Sequence, residues 1–294
     1  MQTVLFVGII VSLLIYYAIW YWGHRGHRMI ARGTKTINAL DAVTASYRAG
    51  DYQTALQQAE GLKRGFSKTP EYCFFRGSML HQLGKFSEAE ASLREGLTLE
   101  SDSRSKALVS NTLGAVLMDM ERYPEAIACF EDSIGAWPDR GTGHREVAEV
   151  WLRQGRELPE SLARARRAVE IDRASPALSA ETHDLRVGED LALLAWAEAA
   201  NSSDAQVDSL LAEAFPLCAH AAKMVQAQQH YYAGRAYSAL QLLEKAAEHF
   251  LQARTVDPQG QFGRLAAAMQ APNSTAQGRT PKTQEPKPGI ERLR

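Results

Sequence analysis

The chain contains 294 residues, 45% of them hydrophobic, and its 33 lysines and arginines nearly balance its 34 aspartates and glutamates. This composition excludes a largely disordered protein, and a formal net charge of -1 gives no overall electrostatic basis for binding nucleic acid. The three cysteines lie far apart and form neither a disulfide framework nor a zinc motif, so we predict no metal site.

The first 22 residues contain no charged side chain. Within them, residues 3–22 form an uninterrupted apolar and aromatic stretch, and a helix of that length is about 30 Å long, the thickness of a bilayer's hydrocarbon core. The stretch ends in tyrosines and tryptophans, which favour membrane interfaces, and it lacks the positive start of a cleaved signal peptide. We therefore predict an uncleaved transmembrane anchor at 1–22. A buried helix of a soluble domain is the alternative interpretation.

A basic juxtamembrane segment follows at 23–35, with four positive side chains and no negative ones. No lysine or arginine precedes the apolar stretch. Because the positive flank of a membrane helix stays in the cytoplasm, we expect the amino terminus outside and the rest of the chain inside, most simply at a bacterial inner membrane. Contact of this segment with anionic lipid head groups is a second interpretation.

The middle of the chain is repetitive. Three similar heptapeptides occur at 49–55 (AGDYQTA), 83–89 (LGKFSEA) and 120–126 (MERYPEA), and their final alanines are separated by 34 and 37 residues. At this point the sequence resembles the tetratricopeptide repeat (TPR) family, whose unit is a 34-residue pair of antiparallel helices. The resemblance implies an all-α fold, a TPR-type α-solenoid of helix pairs preceded by the one transmembrane helix.

The array is predicted to cover residues 36–270, with small residues such as Gly114 and Ala126 where the two helices of a unit approach each other. A disordered tail rich in proline, serine, threonine and glutamine is predicted at 271–294. The predicted units are about 36–69, 70–103, 107–140, 141–174, a divergent 175–226 with a longer second helix, 227–260, and a cap at 261–270.

Motifs for catalysis are absent from the sequence. It contains no phosphate-binding loop, dinucleotide-binding motif, HExxH or GxSxG, and its eight histidines are scattered. We therefore predict no enzyme activity, no catalytic residue, no cofactor and no small-molecule substrate. Adjacent carboxylates such as Glu189 and Asp190 are expected to be solvated on a helix face.

Function is expected to reside in the groove that stacked repeats create. In the TPR family the first helices of the units line a concave surface, which suits an extended peptide or a partner helix. Transferring the family's groove positions to this chain nominates seven partner-binding residues: Phe74, His81, Asn111, Met118, Arg145, Tyr231 and Arg235. Binding through the convex face or the loops is the alternative.

The resemblance also argues against one partner class. Chaperone-binding members of the family hold a terminal carboxylate with lysine, asparagine and arginine side chains. The matching positions here are Leu40, Thr44, Phe75, Leu108 and Thr112. The sequence therefore does not predict the binding of chaperone tails.

Together these features predict a non-enzymatic, membrane-tethered scaffold that binds peptide segments or helices of partner proteins, in envelope assembly, secretion or quality control. The alternative is an accessory or regulatory subunit that stays bound to one catalytic membrane partner. Protein partners and the lipid bilayer, through residues 3–22, are the expected contacts, and nucleic acid is not expected.

Overall fold

The computed structural model describes residues 41–61, 69–100, 102–175 and 179–270. The predicted anchor at 1–22, the basic segment at 23–35 and the tail at 271–294 lie outside these residues. Throughout the described ranges the regular secondary structure is helical, which confirms the expected all-α solenoid. None of the helices in these ranges combines the length and the apolar character needed to cross a bilayer.

Residues 41–48 are helical, and twelve further helices follow in the described ranges. They are α1 (Tyr52–Gly61), α2 (Pro70–Gln82), α3 (Phe86–Leu99), α4 (Ser103–Asp119), α5 (Tyr123–Ala136), α6 (Thr142–Gln154), α7 (Leu158–Ala174), α8 (Ala180–Ala200), α9 (Val207–Leu217), α10 (Lys223–Ala239), α11 (Leu243–Val256) and α12 (Gln261–Gln270).

Local chemistry explains where several helices begin. The side chains of Thr69, Asp102 and Ser179 each accept a hydrogen bond from the backbone N–H three residues later, which satisfies a donor that the first helical turn leaves free. Proline stands in the first turn of α2, α5 and α7, where its missing N–H costs nothing.

The turn inside each helix pair has the same backbone geometry. Gly50, Gly84 and Gly155 have φ angles of 78°, 73° and 61°, and the non-glycine residues Glu121 and Gln241 have 59° and 62° at the corresponding places. This left-handed conformation ends one helix and reverses the chain into the next. The repeat therefore imposes its turn even where the side chain disfavours it.

Consecutive helices pack as pairs, and the pairs stack: α2 with α3, α4 with α5, α6 with α7, α8 with α9, and α10 with α11. Helix α12 packs against α10 and α11. The apolar side chains form two core clusters, one through the first pairs and one through the last.

The divergent unit differs from expectation. Its first helix, α8, has 21 residues and its second, α9, has 11, so the expected longer second helix is wrong. Residues 190–199 of α8 are buried without a break, because the helix contacts α6, α7, α9 and α10. A helix that is apolar on nearly every face is stable only when neighbours surround it.

The two ends of the array contact each other. The hydroxyl of Tyr52 donates a hydrogen bond to Asp257, in the turn before α12. Arg264 of α12 donates to the carbonyl oxygens of His81, at 3.3 Å, and Gln82 at the end of α2. The solenoid therefore closes on itself, and α12 lies beside the first helices as well as the last.

Candidate functional site

Two cavities, of about 240 and 400 Å³, lie on the concave side of the closed solenoid formed by the described residues. Gln261, the first residue of α12, lines both of them, so the start of this helix separates the two. Four of the seven predicted groove residues line the first cavity, and the other three line the second. The first set is Phe74, His81, Asn111 and Arg145, and the second is Met118, Tyr231 and Arg235.

His81 is buried and holds an acidic partner. Its Nε2 lies 2.9 Å from Oδ2 of Asp119, whose Oδ1 accepts a hydrogen bond from Arg153 at 2.8 Å. Burial by itself would raise the pKa of Asp119, but the hydrogen bond with His81 and the charge of Arg153 hold it well below its usual range. His81 is thus engaged inside the protein.

Arg145 differs most from its predicted role. Its guanidinium contacts Oε2 of Glu189 at 3.0 Å, Oδ1 of Asp190 at 3.2 Å and Oε1 of Glu146 at 3.2 Å. The expectation that Glu189 and Asp190 are solvated is wrong, because Asp190 is 0% exposed and Glu189 is mostly buried against Arg145. The carboxylates already neutralise Arg145, so it does not offer a free positive charge to a ligand.

A second buried network connects α6 to α10. Arg153 donates to Oε1 of Glu149 at 2.8 Å, and the hydroxyl of Tyr232 donates to Oε2 of Glu149 at 2.5 Å. Glu149 is fully buried, and the network ties together residues that are 83 positions apart. These polar side chains hold the concave wall in place.

Among the described residues, Phe74 and Asn111 are the predicted residues of the first cavity that have no charged partner. Phe74 is half-buried and packs edge-on against Phe75, with ring centroids 5.6 Å apart. The side-chain oxygen of Asn111 is buried and accepts no hydrogen bond from any residue that the structure describes. The cavity therefore offers an apolar surface and an unused acceptor.

The second cavity combines apolar side chains with an unpaired guanidinium. Met118 and Tyr231 are almost fully buried in its wall. Arg235 lies 4.3 Å from the ring centroid of Trp196 and donates to the hydroxyl of Tyr231 at 3.0 Å. Within the described residues it makes no ion pair. Met269 is 48% exposed at the rim of the cavity.

The sequence did not single out Arg140, Glu146, Glu189 or Gln261 as lining residues. The sequence did contain one indication that some of these residues are buried. Glu189 and Asp190 stand directly before a long apolar run, and charges at the edge of a buried helix require partners. Among the described residues, no three histidine, cysteine, aspartate or glutamate side chains are placed to hold a metal ion.

A model of the tetratricopeptide repeat family matches residues 40–104 and 111–177. These residues of the chain are tetratricopeptide repeats. TPR proteins mediate protein–protein interactions, and the concave surface described above is the one that their stacked units create. Comparison with curated proteins finds no match.

Several solved structures are similar to this chain at low sequence identity. The APC/C hetero-tetramer Cut9-Hcn1 gives a TM-score of 0.53 at 12% identity, over 74% of this chain and 39% of that one. The chain therefore spans well under half of that protein. PilW, a type IV pilus biogenesis factor, gives 0.48 at 17% identity, over 78% and 96%. YrrB, a TPR protein with an unusual peptide-binding site, gives 0.34 at 20%, over 71% and 97%.

Proposed function

We propose that this TPR protein is a non-enzymatic interaction scaffold, tethered to a membrane by residues 3–22, that binds a peptide segment or a helix of a partner protein. A bacterial inner membrane, with the array in the cytoplasm, is the proposed location, and envelope assembly, secretion or quality control is the proposed process. The membrane part of the proposal rests on the sequence of residues 1–35 alone.

The second cavity is the observation that supports partner binding most strongly. Its wall combines the apolar side chains of Met118, Leu265 and Met269 with the guanidinium of Arg235. Interface anchors are typically large apolar or aromatic groups inserted into a pocket, with a charged group that fixes orientation. An apolar side chain next to a carboxylate, on a helix or an extended segment of the partner, matches this combination.

The test uses two exposed apolar residues as a matched pair. Met269 is 48% exposed at the second cavity, and Leu243 is 65% exposed on α11 away from both cavities. Met269→Glu should abolish partner capture by crosslinking in intact membranes, while Leu243→Glu should not, and neither should change the melting temperature by more than a degree or two. Capture lost only in the Leu243 variant would place the interface on the convex side.

Partner stoichiometry separates the two functional classes. A scaffold should yield several substoichiometric partners after gentle detergent extraction. An accessory subunit, which is the second candidate, should yield one partner at a constant ratio.

A further inference from the structure

The first cavity contains a positive charge without a counter-ion. Arg140 donates from Nε to Oγ1 of Thr142 at 2.8 Å and lies 5.2 Å from the ring centroid of Trp137. No carboxylate of the described residues forms an ion pair with it. Burial lowers the pKa of this guanidinium, and the nearby charge of Arg145 lowers it further, while Glu189 opposes these effects only in part. A ligand carboxylate placed here would stabilise the charged guanidinium and so offset its burial and its repulsion from Arg145.

Acidic side chains surround Arg145 at the same cavity. Glu146, Glu189 and Asp190 share the single guanidinium of Arg145. Burial raises the pKa of Glu146 to about 7, an effect that Arg145 opposes and Glu149 reinforces. Glu146 and Glu189 both line the cavity, so a ligand cation would be stabilised between them.

The size and closure of the cavity limit the ligand. Its volume of about 240 Å³ is enough for one small molecule. Gln82 closes one side by donating to Met224 Sδ at 3.0 Å and accepting from the backbone N–H of Gln261 at 3.0 Å. An extended peptide that continued into the second cavity would have to displace the start of α12. Phe74 and Phe262 provide apolar surface.

We propose that this cavity binds a free α-amino acid, with its carboxylate on Arg140, its ammonium group between Glu146 and Glu189, and an apolar side chain against Phe74. The unused oxygen of Asn111 accepts a further hydrogen bond from the ammonium group. The amino acid is a ligand that occupies the closed solenoid and is not converted. This site is independent of the partner-binding function assigned to the second cavity.

The first test compares one amino acid with two analogues that each lack a charge. L-leucine, L-leucinamide (no carboxylate) and 4-methylpentanoate (no ammonium group) are titrated into the full-length protein in detergent, and binding is measured by calorimetry and thermal shift. L-leucine should bind and raise the melting temperature, and each analogue should bind at least about tenfold more weakly, because each loses a charge-assisted contact. Equal binding of either analogue would overturn the proposal. So would the absence of binding by both L-leucine and L-phenylalanine at concentrations up to about 10 mM, which would detect affinities weaker than millimolar.

The second test uses two arginines that stack on the same tryptophan. Arg104 and Arg140 lie 5.3 and 5.2 Å from the ring centroid of Trp137, but only Arg140 lines the cavity. Arg140→Met should weaken leucine binding by about tenfold or more, and Arg104→Met should leave it within about twofold. Equal losses in both variants would mean that tryptophan packing, and not a ligand contact, is responsible.

A peptide control tests whether the cavity binds a free amino acid or a peptide terminus. A ten-residue peptide with leucine at its carboxyl end should not displace leucine, and displacement would assign the cavity to a peptide terminus instead.

If the Arg140 variant does not fold, the comparison of leucine with its analogues on the unaltered protein still decides the question. Failure of partner capture in the Met269 variant experiment would leave the leucine result unaffected, so the two proposals fail separately.

Discussion

Three glycines occupy the closest approach between paired helices. A Cβ atom on Gly77 would lie 2.5 Å from Leu93, one on Gly114 would lie 2.5 Å from Phe130, and one on Gly234 would lie 2.6 Å from Phe250. In each pair the glycine lies on the first helix and the large residue lies sixteen positions later on the second. The absence of a side chain at this place is what lets the second helix insert a large residue.

Gly114→Ala is expected to destabilise the protein. The added Cβ would overlap the ring of Phe130, which is fully buried and cannot move aside, and overpacking of this kind costs about 1 to 3 kcal/mol. Gly135→Ala is the matched control, because a Cβ there meets nothing within 4 Å and alanine favours a helix by up to about 1 kcal/mol. Urea unfolding should move the two midpoints in opposite directions. Equal midpoints would contradict this packing.

Glu146→Gln should change the pH dependence of stability. The folded protein raises the pKa of Glu146 from 4.5 to about 7, so it binds this proton more tightly than the unfolded chain does. The resulting stabilisation is fully present below pH 4.5 and is lost as the pH rises through 7. Glutamine stays neutral beside Arg145, Glu149 and Glu189, and should therefore stabilise the protein more at pH 8 than at pH 5.

Urea unfolding at the two pH values measures this difference. Glu170→Gln serves as the control, since Glu170 is exposed on α7 and pairs with the exposed Arg167. Parallel pH profiles for the Glu146 variant and the unaltered protein would show that Glu146 does not titrate as described.

Helix α12 has two structural roles. It covers the last helix pair, as terminal segments of repeat arrays do, and it also contacts the end of α2 through Arg264. Gln261 adds a backbone hydrogen bond to the side chain of Gln82. One short helix therefore connects units that are far apart in the chain and divides the concave surface into two cavities.

Arg264→Ala should loosen the contact between the two ends of the array. Losing hydrogen bonds from a charged donor to the carbonyls of His81 and Gln82 costs about 1 to 3 kcal/mol. Amide hydrogen exchange should accelerate in α1 and α2 but not in α4 and α5. Arg254→Ala, an exposed change on α11, should leave exchange unchanged. Faster exchange throughout the molecule would indicate global rather than local destabilisation.

At the scale of the whole molecule, we propose that the closed solenoid binds protein partners and that the predicted anchor binds the lipid bilayer. The closure places the start of α12 between the two cavities, and we propose that protein partners bind at the second cavity or at exposed helix faces. The anchor would confine the array to a membrane surface and so raise its local concentration near membrane partners.

The topology is testable with reporters. A reporter that is active only in the cytoplasm, fused after Arg294, should be active, because four positive charges follow the apolar stretch and none precedes it. A reporter active only in the periplasm should be inactive at the same site. The opposite pattern would reverse the predicted orientation.

The sequence by itself was sufficient to establish the repeat. Small residues, aromatic residues and turn positions recur at fixed spacing, because each helix pair must bury the same stripes against its neighbours. These local requirements predicted the TPR family and the all-α solenoid. They also nominated Phe74, Asn111, Met118 and Arg235, all of which line the two cavities.

Only the tertiary structure decided which polar groups are free. Arg145 looked available by its repeat position, but three carboxylates of α6 and α8 surround it. Arg140, in a turn, makes no ion pair with the described residues and lines the same cavity. The contact between Tyr52 and Asp257 spans 205 positions. Repeat periodicity predicts the contacts between neighbouring units. It does not predict contacts between distant units, because the curvature that closes the array accumulates over every interface between units.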